Sequence, residues 1–221
     1  MERLGIKFLS VFGMPPVTFV ALAADLGCRY ISTALTSNPY NPSIYPSFSL
    51  RDDPTLRREM IAAMRDRDVS ISLGEGMVVR EGADIQDRVG DLEIMAELGH
   101  RRINTVSLVD TMHVVRSGSE PDDLARLDPG VIGYIQLSDA PLVPAIPKYM
   151  EEAMFERMVP GTGELPLLDV LEVLPRDLVI GLEIPLRAEA MAGVGPHERV
   201  GRCVDAACGL LARPTDQPHQ A

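Results

Sequence analysis

The sequence predicts an α/β protein in which helices cover both faces of a parallel sheet. Short, nearly continuous apolar runs alternate with stretches of helical spacing along the whole chain. Such runs fit strands that are buried on both faces, since a half-exposed antiparallel strand would alternate apolar and polar residues. Glycine, proline and polar residues punctuate the runs, as expected where buried strands stop.

The length of 221 residues supports one domain with a sizeable core. We assign residues 1–211 to this domain and expect the polar tail, residues 212–221, to be disordered. Strands are expected over residues 4–12, 29–35, 69–73, 102–108, 131–137 and 178–184. Helices are expected over residues 17–27, 53–67, 84–99, 165–174 and 197–211, with Asp52 or Asp53 and Asp84 as N-caps.

The composition argues against several classes of partner. The formal net charge is −11, and Lys7 and Lys148 are the only lysines, so binding to nucleic acid or to an anionic membrane surface is not expected. No apolar run reaches the roughly 20 residues of a membrane span. Three cysteines without a C-x-x-C pair favour a reduced, cytoplasmic protein. A homodimer is the default assembly.

Two architectures fit alternating strands and helices: an open doubly wound sheet and a closed (β/α)₈ barrel. The open sheet would carry G-x-G-x-x-G after its first strand, but residues 12–16 read Phe-Gly-Met-Pro-Pro. The turn at residues 161–163 follows no strand and lacks the Lys-Ser/Thr of a phosphate-binding loop. Polar residues collect at the carboxyl ends of the strands, where barrels place their chemistry, so we expect a barrel.

Three of these polar residues stand at the ends of different strands. Asp110 and Glu183 are carboxylates and Gln136 is an amide, and apolar residues flank Gln136 and Glu183. Strand ends of a barrel converge on one mouth, and hard oxygen ligands suit Mn²⁺ or Mg²⁺. A buried Glu183 needs a metal, an arginine or a proton. An amide bonded to a neighbouring strand explains Gln136 equally well.

His113 follows Asp110 by three residues, so its imidazole is expected to rise from the loop beside the same mouth. An ordinary loop histidine that bonds a backbone carbonyl is the competing interpretation. Substrate walls are expected in the loop of residues 36–49, with Tyr40, Asn41 and Tyr45, and at Glu75 within a Gly-Glu-Gly turn. Ordinary polar loops would give the same pattern.

At these residues the sequence resembles the xylose isomerase-like TIM-barrel superfamily, in particular its sugar phosphate isomerase/epimerase family. Four segments carry the resemblance: residues 108–113 (LVDTMH), 134–139 (YIQLSD), 157–164 (RMVPGTGE) and 181–185 (GLEIP). They match the family's sixth and seventh strands, its Pro-Gly-x-Gly loop and its eighth strand, and the first hundred residues match four βα units in pattern.

The resemblance implies one divalent metal ion, with Mn²⁺ the first choice and Mg²⁺, Co²⁺ or Zn²⁺ as alternatives. Asp110 and Glu183 take the metal-ligand places of the sixth and eighth strands, and Gln136 stands where histidine is usual. His113 takes the place of a histidine that contacts substrate oxygens. Arg157 resembles the substrate-binding arginine ahead of the Pro-Gly-x-Gly loop. The family's fifth-strand glutamate has no counterpart.

The missing glutamate coincides with an irregular junction between Ser107 and Leu108, where fourth-strand sequence passes directly into sixth-strand sequence. About two βα units, roughly 60 residues by barrel proportions, are absent there. Either the sequence omits a disordered stretch or the barrel is truncated. We favour an omission at this stage, because a truncated barrel exposes strand edges.

The expected function is a metal-dependent isomerase or epimerase of a sugar, keto-sugar or polyol. Glu183 would transfer a proton through an enediolate, and His113 would polarise the substrate oxygens. A lyase that dehydrates a keto-cyclitol or a dehydroshikimate-like acid starts from the same enolate and fits the same fold. A degenerate, non-catalytic barrel is the third alternative, because of Gln136 and the missing glutamate.

Overall fold

The parallel α/β class is confirmed by the computed structural model, which describes residues 2–37, 44–76, 84–100, 102–103 and 108–213. Within these residues six strands form one sheet in the order β3-β2-β1-β6-β5-β4, and every pairing is parallel. The strands are β1 (Leu4–Ile6), β2 (Tyr30–Ala34), β3 (Ser70–Glu75), β4 (Leu108–Asp110), β5 (Tyr134–Leu137) and β6 (Ile180–Leu182).

The sheet curls into an open half-barrel. The hydroxyls of Ser72 on β3 and Tyr134 on β5 lie 3.2 Å apart, although β2, β1 and β6 separate the two strands in the sheet. In a flat sheet these strands would be about 19 Å apart, at about 4.8 Å per spacing. The fold is therefore a truncated (β/α) barrel with β3 and β4 at its edges. Beyond β3, Gly74 pairs with Ile103 in one parallel bridge, and Ser107 lies outside the described residues.

Nine α-helices connect or flank the strands in the described part of the chain: α1 (Pro16–Asp25), α2 (Pro54–Arg67), α3 (Val89–Glu97), α4 (Thr111–Arg116), α5 (Pro121–Ala125), α6 (Tyr149–Phe155), α7 (Leu167–Val173), α8 (Arg187–Met191) and α9 (Pro196–Leu211). Asp53 caps α2 as expected, because its carboxylate accepts the N–H groups of Thr55 and Leu56 at 2.9 Å. None of these helices is long and apolar enough to span a membrane.

Several predicted elements are wrong in their extent. The strand expected over residues 131–137 starts only at Tyr134, after a 3₁₀ helix, Pro129–Val131. Of the strand expected over residues 102–108, residues 104–107 lie outside the described residues, and Leu108 begins β4. The first strand ends at Ile6, and Phe8–Val11 forms a 3₁₀ helix instead. The chain turns there because the Phe8 N–H donates to Ser32 Oγ at 2.8 Å, outside the strand ladder. The helix expected from Asp84 starts as a 3₁₀ turn, Ile85–Arg88, and becomes α-helical at Val89.

The inner face of the half-barrel holds polar side chains, and a glycine on β6 makes room for two of them. A Cβ at Gly181 would lie 2.9 Å from Tyr134 Cζ and 3.0 Å from Lys7 Cδ. Both side chains are fully or almost fully buried. Gly181 therefore lets a tyrosine and a lysine cross the inner face of β6, directly below the predicted site at Glu183.

Candidate active site

The structure brings the three predicted metal ligands together at the carboxyl ends of adjacent strands. Asp110 is the last residue of β4, and the sheet register pairs it with Gln136 on β5. Gln136 pairs in turn with Gly181 on β6, two residues before Glu183. Asp110, Gln136 and Glu183 are 3%, 5% and 7% exposed, so the cluster is buried.

Arg157 lies between the two carboxylates. Its Nη1 is 2.8 Å from Asp110 Oδ2, and its Nη2 is 2.9 Å from Glu183 Oε2. Nη1 also donates to Ser138 Oγ at 3.2 Å, and Nε donates to the carbonyl of Ala153 at 2.7 Å. The predicted substrate-binding arginine thus belongs to this site, but its guanidinium is engaged by the protein.

This donor set does not fit a divalent metal ion. Gln136 directs its Nε2 to Glu183 Oε1 at 3.1 Å, so the amide donates within the cluster. Asp110 Oδ1 accepts the backbone N–H groups of Met112 and His113 as the N-cap of α4. The remaining oxygens of the two carboxylates face Arg157. Among the described residues no three His, Cys, Asp or Glu side chains are grouped to hold a metal ion.

Lys7 is a second buried cation of the cluster, which sequence reasoning missed. Its Nζ lies 2.9 Å from Glu75 Oε1 and 4.0 Å from Glu183 Oε1, and the residue has no exposed surface. Burial lowers the pKa of Lys7, but the carboxylates of Glu75 and Glu183 outweigh it and raise the pKa above its ordinary value. Lys7 is therefore charged, and Glu75, which was predicted to bind substrate, lies beside it as its ion-pair partner.

The two central carboxyl groups titrate in different ranges. Burial raises the pKa of Glu183 from 4.5 to about 7 and outweighs the attraction of Arg157 and Lys7. Burial also acts against ionisation of Asp110, but the charge and hydrogen bond of Arg157 prevail and lower its pKa. Of the two carboxyl groups, Glu183 therefore has the pKa nearer to neutral pH, and Asp110 has a pKa below its ordinary value.

His113 stands at the rim of the site, in the first turn of α4. Its Nε2 is 3.7 Å from Asp110 Oδ2, and its Nδ1 contacts the hydroxyl of Tyr149 on α6. The two ring centroids are 5.5 Å apart. With a side chain that is 45% exposed, His113 is open to solvent and to a substrate. Tyr149 had no signal in the sequence, because α6 follows a loop of irregular pattern.

The Pro-Gly-Thr-Gly turn after Arg157 is bound by a carboxylate of the chain itself. Asp139 Oδ2 accepts the N–H groups of Gly161 and Gly163 at 2.8 and 2.9 Å, and its Oδ1 accepts those of Ala140 and Leu165. A Cβ at Gly163 would lie 2.7 Å from the Ala140 carbonyl oxygen, so this close approach requires glycine. The turn does not act as a phosphate cradle, in agreement with its sequence.

The predicted substrate walls of the loop over residues 36–49 are placed only in part. Tyr45 is half-buried and packs against the hydrophobic core. Tyr40 and Asn41 lie outside the described residues.

Comparison with known proteins gives matches at the level of structure. No protein-family model and no curated protein matches the chain. A xylose isomerase-like TIM barrel/4-hydroxyphenylpyruvate dioxygenase fusion protein superposes with a TM-score of 0.67 at 13% identity, over 93% of this chain and 42% of that chain.

Two further solved structures superpose over almost their whole chains. The probable 3-DHS dehydratase involved in petrobactin synthesis from Bacillus anthracis gives a TM-score of 0.61 at 12% identity, over 94% of this chain and 99% of that chain. The D-psicose 3-epimerase from Clostridium cellulolyticum H10, crystallised with D-tagatose, gives 0.57 at 10% identity, over 95% of this chain and 99% of that chain.

Proposed function

Given that the chain has the xylose isomerase-like TIM-barrel fold, we propose that it is an isomerase or epimerase that moves a proton on a sugar, keto-sugar or related polyol. The observation that carries the proposal is the position of Glu183, a buried carboxyl group at the carboxyl end of β6 that lies 4.0 Å from Lys7 Nζ and 2.9 Å from Arg157 Nη2. Burial also raises the pKa of Glu183 to about 7. A general base is most effective when its pKa lies near the working pH.

In the proposed reaction the Glu183 carboxylate removes a proton from the carbon next to the substrate carbonyl. The C–H electron pair forms the carbon–carbon double bond of an enediolate, and the carbonyl oxygen takes the negative charge. Lys7 and Arg157 place two positive charges beside Glu183, where they lower the energy of this developing charge. Isomerisation follows when Glu183 returns the proton to the former carbonyl carbon and the hydroxyl proton of the first carbon moves to the charged oxygen. For epimerisation, a water molecule on the opposite face gives a proton to the first carbon, and Glu183 returns its own proton to the hydroxide that remains.

Substrate oxygens are bound at the exposed side of the cluster. His113 is the most exposed of the predicted site residues, and the Glu75 side chain is 17% exposed. Hydrogen bonds from His113 and from the Tyr149 hydroxyl, which contacts its ring, would orient a polyhydroxylated substrate. The proposal assigns no step to a divalent metal ion, because Arg157 lies between Asp110 and Glu183.

A lyase is the second candidate, favoured by the superposition with a probable dehydratase. Its reaction would begin with the same removal of a proton by Glu183. The enolate would then re-form the carbonyl and shift the double bond to the next carbon, whose hydroxyl group leaves as water with the proton that Glu183 had taken. The two candidates differ in their products, since a lyase forms an unsaturated compound that absorbs in the ultraviolet.

The test is proton exchange in D₂O, followed by NMR on a panel of keto-sugars and keto-cyclitols. We expect the wild type to introduce deuterium next to the carbonyl, and Glu183→Gln to reduce the rate by about 10²-fold or more. Glu59→Gln, an exposed carboxyl group on α2, is the matched control and should retain the rate.

Three outcomes would contradict parts of the proposal. Full exchange by Glu183→Gln would remove Glu183 as the proton carrier. Ultraviolet absorption without an isomer would favour the lyase. If no compound of the panel exchanged its proton, the result would favour the third alternative, a barrel without catalytic activity.

A further inference from the structure

We propose that the guanidinium of Arg157 is a built-in cation that excludes divalent metal ions from the site, and that its removal converts Asp110 and Glu183 into a Mn²⁺ site. The proposal concerns cation binding alone. It does not depend on the proposed proton transfer.

The guanidinium of Arg157 fills the space between the two carboxylates. One guanidinium nitrogen lies 2.8 Å from a carboxylate oxygen of Asp110, and another lies 2.9 Å from an oxygen of Glu183. These are the distances of close, charge-assisted contacts. A metal ion that bridged the same two oxygens would have to occupy the space that Arg157 fills.

The positive charges of Arg157 and Lys7 also oppose the entry of a divalent ion. Buried carboxylates need a positively charged partner. Arg157, which is only 3% exposed, is that partner for both Asp110 and Glu183. Lys7 adds a second positive charge 4.0 Å from Glu183 Oε1. A divalent ion entering beside these two cations would meet strong like-charge repulsion in a poorly hydrated environment.

Hydrogen bonds on both sides of the guanidinium hold Arg157 in place. Its Nε donates to the Ala153 carbonyl in the last turns of α6. The next residue, Met158, exchanges two backbone hydrogen bonds with Asp139, at 3.1 and 2.8 Å, just beyond β5. Anchors on both sides of the guanidinium oppose a rotation out of the site.

The experiment is a Mn²⁺ titration of EDTA-stripped protein, with free Mn²⁺ measured by electron paramagnetic resonance. We expect wild type to bind no Mn²⁺ at this site, and Arg157→Met to gain one site with an affinity about 100-fold or more above wild type. Adding Asp110→Asn to Arg157→Met should abolish the gain. Arg157→Lys, which keeps the charge, should show no gain.

Arg116→Met is the matched control. Arg116 lies 3.2 Å from Glu152 in another buried ion pair, so this variant also removes a buried guanidinium but leaves Asp110 and Glu183 paired. It should gain no Mn²⁺ site.

Two results would overturn the proposal. One is a wild-type protein that binds one Mn²⁺ per chain and loses it with Asp110→Asn. The other is a folded Arg157→Met protein, checked by circular dichroism, that gains no site. If Arg157→Met does not fold, the titrations of wild type and of Arg157→Lys still test the proposal. Mn²⁺ bound at Asp110 in either protein would contradict the exclusion of metal ions by a resident cation. No substrate enters these measurements, so a failed search for activity leaves the result interpretable.

Discussion

Replacement of Glu183 by glutamine should change how the free energy of unfolding depends on pH. The pKa of Glu183 rises from 4.5 to about 7 on folding. Each unit of such a difference corresponds to about 1.4 kcal/mol, so the shift amounts to about 3 kcal/mol for this fully buried group.

The sign follows from which state releases the proton first. Below pH 4.5 both the folded and the unfolded chain hold the proton at Glu183, and the favourable contribution is complete. Between pH 4.5 and about 7 the unfolded chain releases the proton while the folded chain retains it, so stability falls as the pH rises. Above about pH 7 both states are ionised and the slope disappears.

Urea unfolding at intervals between pH 4.5 and 8 measures this effect. Wild type should lose about 3 kcal/mol across the window, whereas Glu183→Gln should lack that fall. The substitution also alters the contact with Arg157, but this changes the level of the curve more than its slope. Glu59→Gln should keep the wild-type slope. Parallel curves for wild type and Glu183→Gln would refute the assignment of the titration to Glu183.

Three further predictions concern stability and are measured by the same unfolding experiment. Gly181→Ala should lower the free energy of unfolding by about 1–3 kcal/mol, because the new Cβ would meet Tyr134 and Lys7 on the inner face. Gly209→Ala on α9 is the control: its Cβ meets no atom within 4 Å, so it should be neutral or slightly stabilising. Equal losses in the two variants would contradict the close approach at Gly181. Asp53→Ala should cost about 1 kcal/mol through loss of the N-cap of α2, and no change would show that the cap is dispensable. The Asp110 carboxyl group, whose pKa is lowered on folding, stabilises the fold above pH 3.8 and loses this contribution as the pH falls through its folded value. In Asp110→Asn the free energy of unfolding should therefore fall less steeply below pH 3.8 than in wild type, and equal slopes would contradict this assignment.

Part of the site was readable from the sequence, because two candidates were polar residues within apolar strand sequence. Glu183 between leucine and isoleucine, and Gln136 in the same setting, had to lie in a polar interior or be paired. Parallel strand order then places the ends of β4, β5 and β6 side by side. Lys7 stands between Ile6 and Phe8 in the first apolar run. The same reasoning, applied to Lys7, would have identified it as the second buried cation of the site.

The role of Arg157 was not readable, because it depends on tertiary distance. Arg157 is 47 residues from Asp110 and 26 from Glu183 in the chain, yet it contacts both. The resemblance assigned this arginine to the substrate and the carboxylates to a metal ion. Which cation neutralises a buried carboxylate is decided by packing around the loop, and a spacing pattern carries no information on that packing.

The turn bound by Asp139 gives the site a mechanical property. Asp139 is the second residue after β5, and its carboxylate accepts four backbone N–H groups, three of them on or after the turn. The anion that such a ring of amides would otherwise recruit from solution is thus part of the chain. The segment that carries Arg157 is therefore tied to the end of β5 by hydrogen bonds of the chain itself, and these bonds fix the position of the guanidinium relative to the sheet.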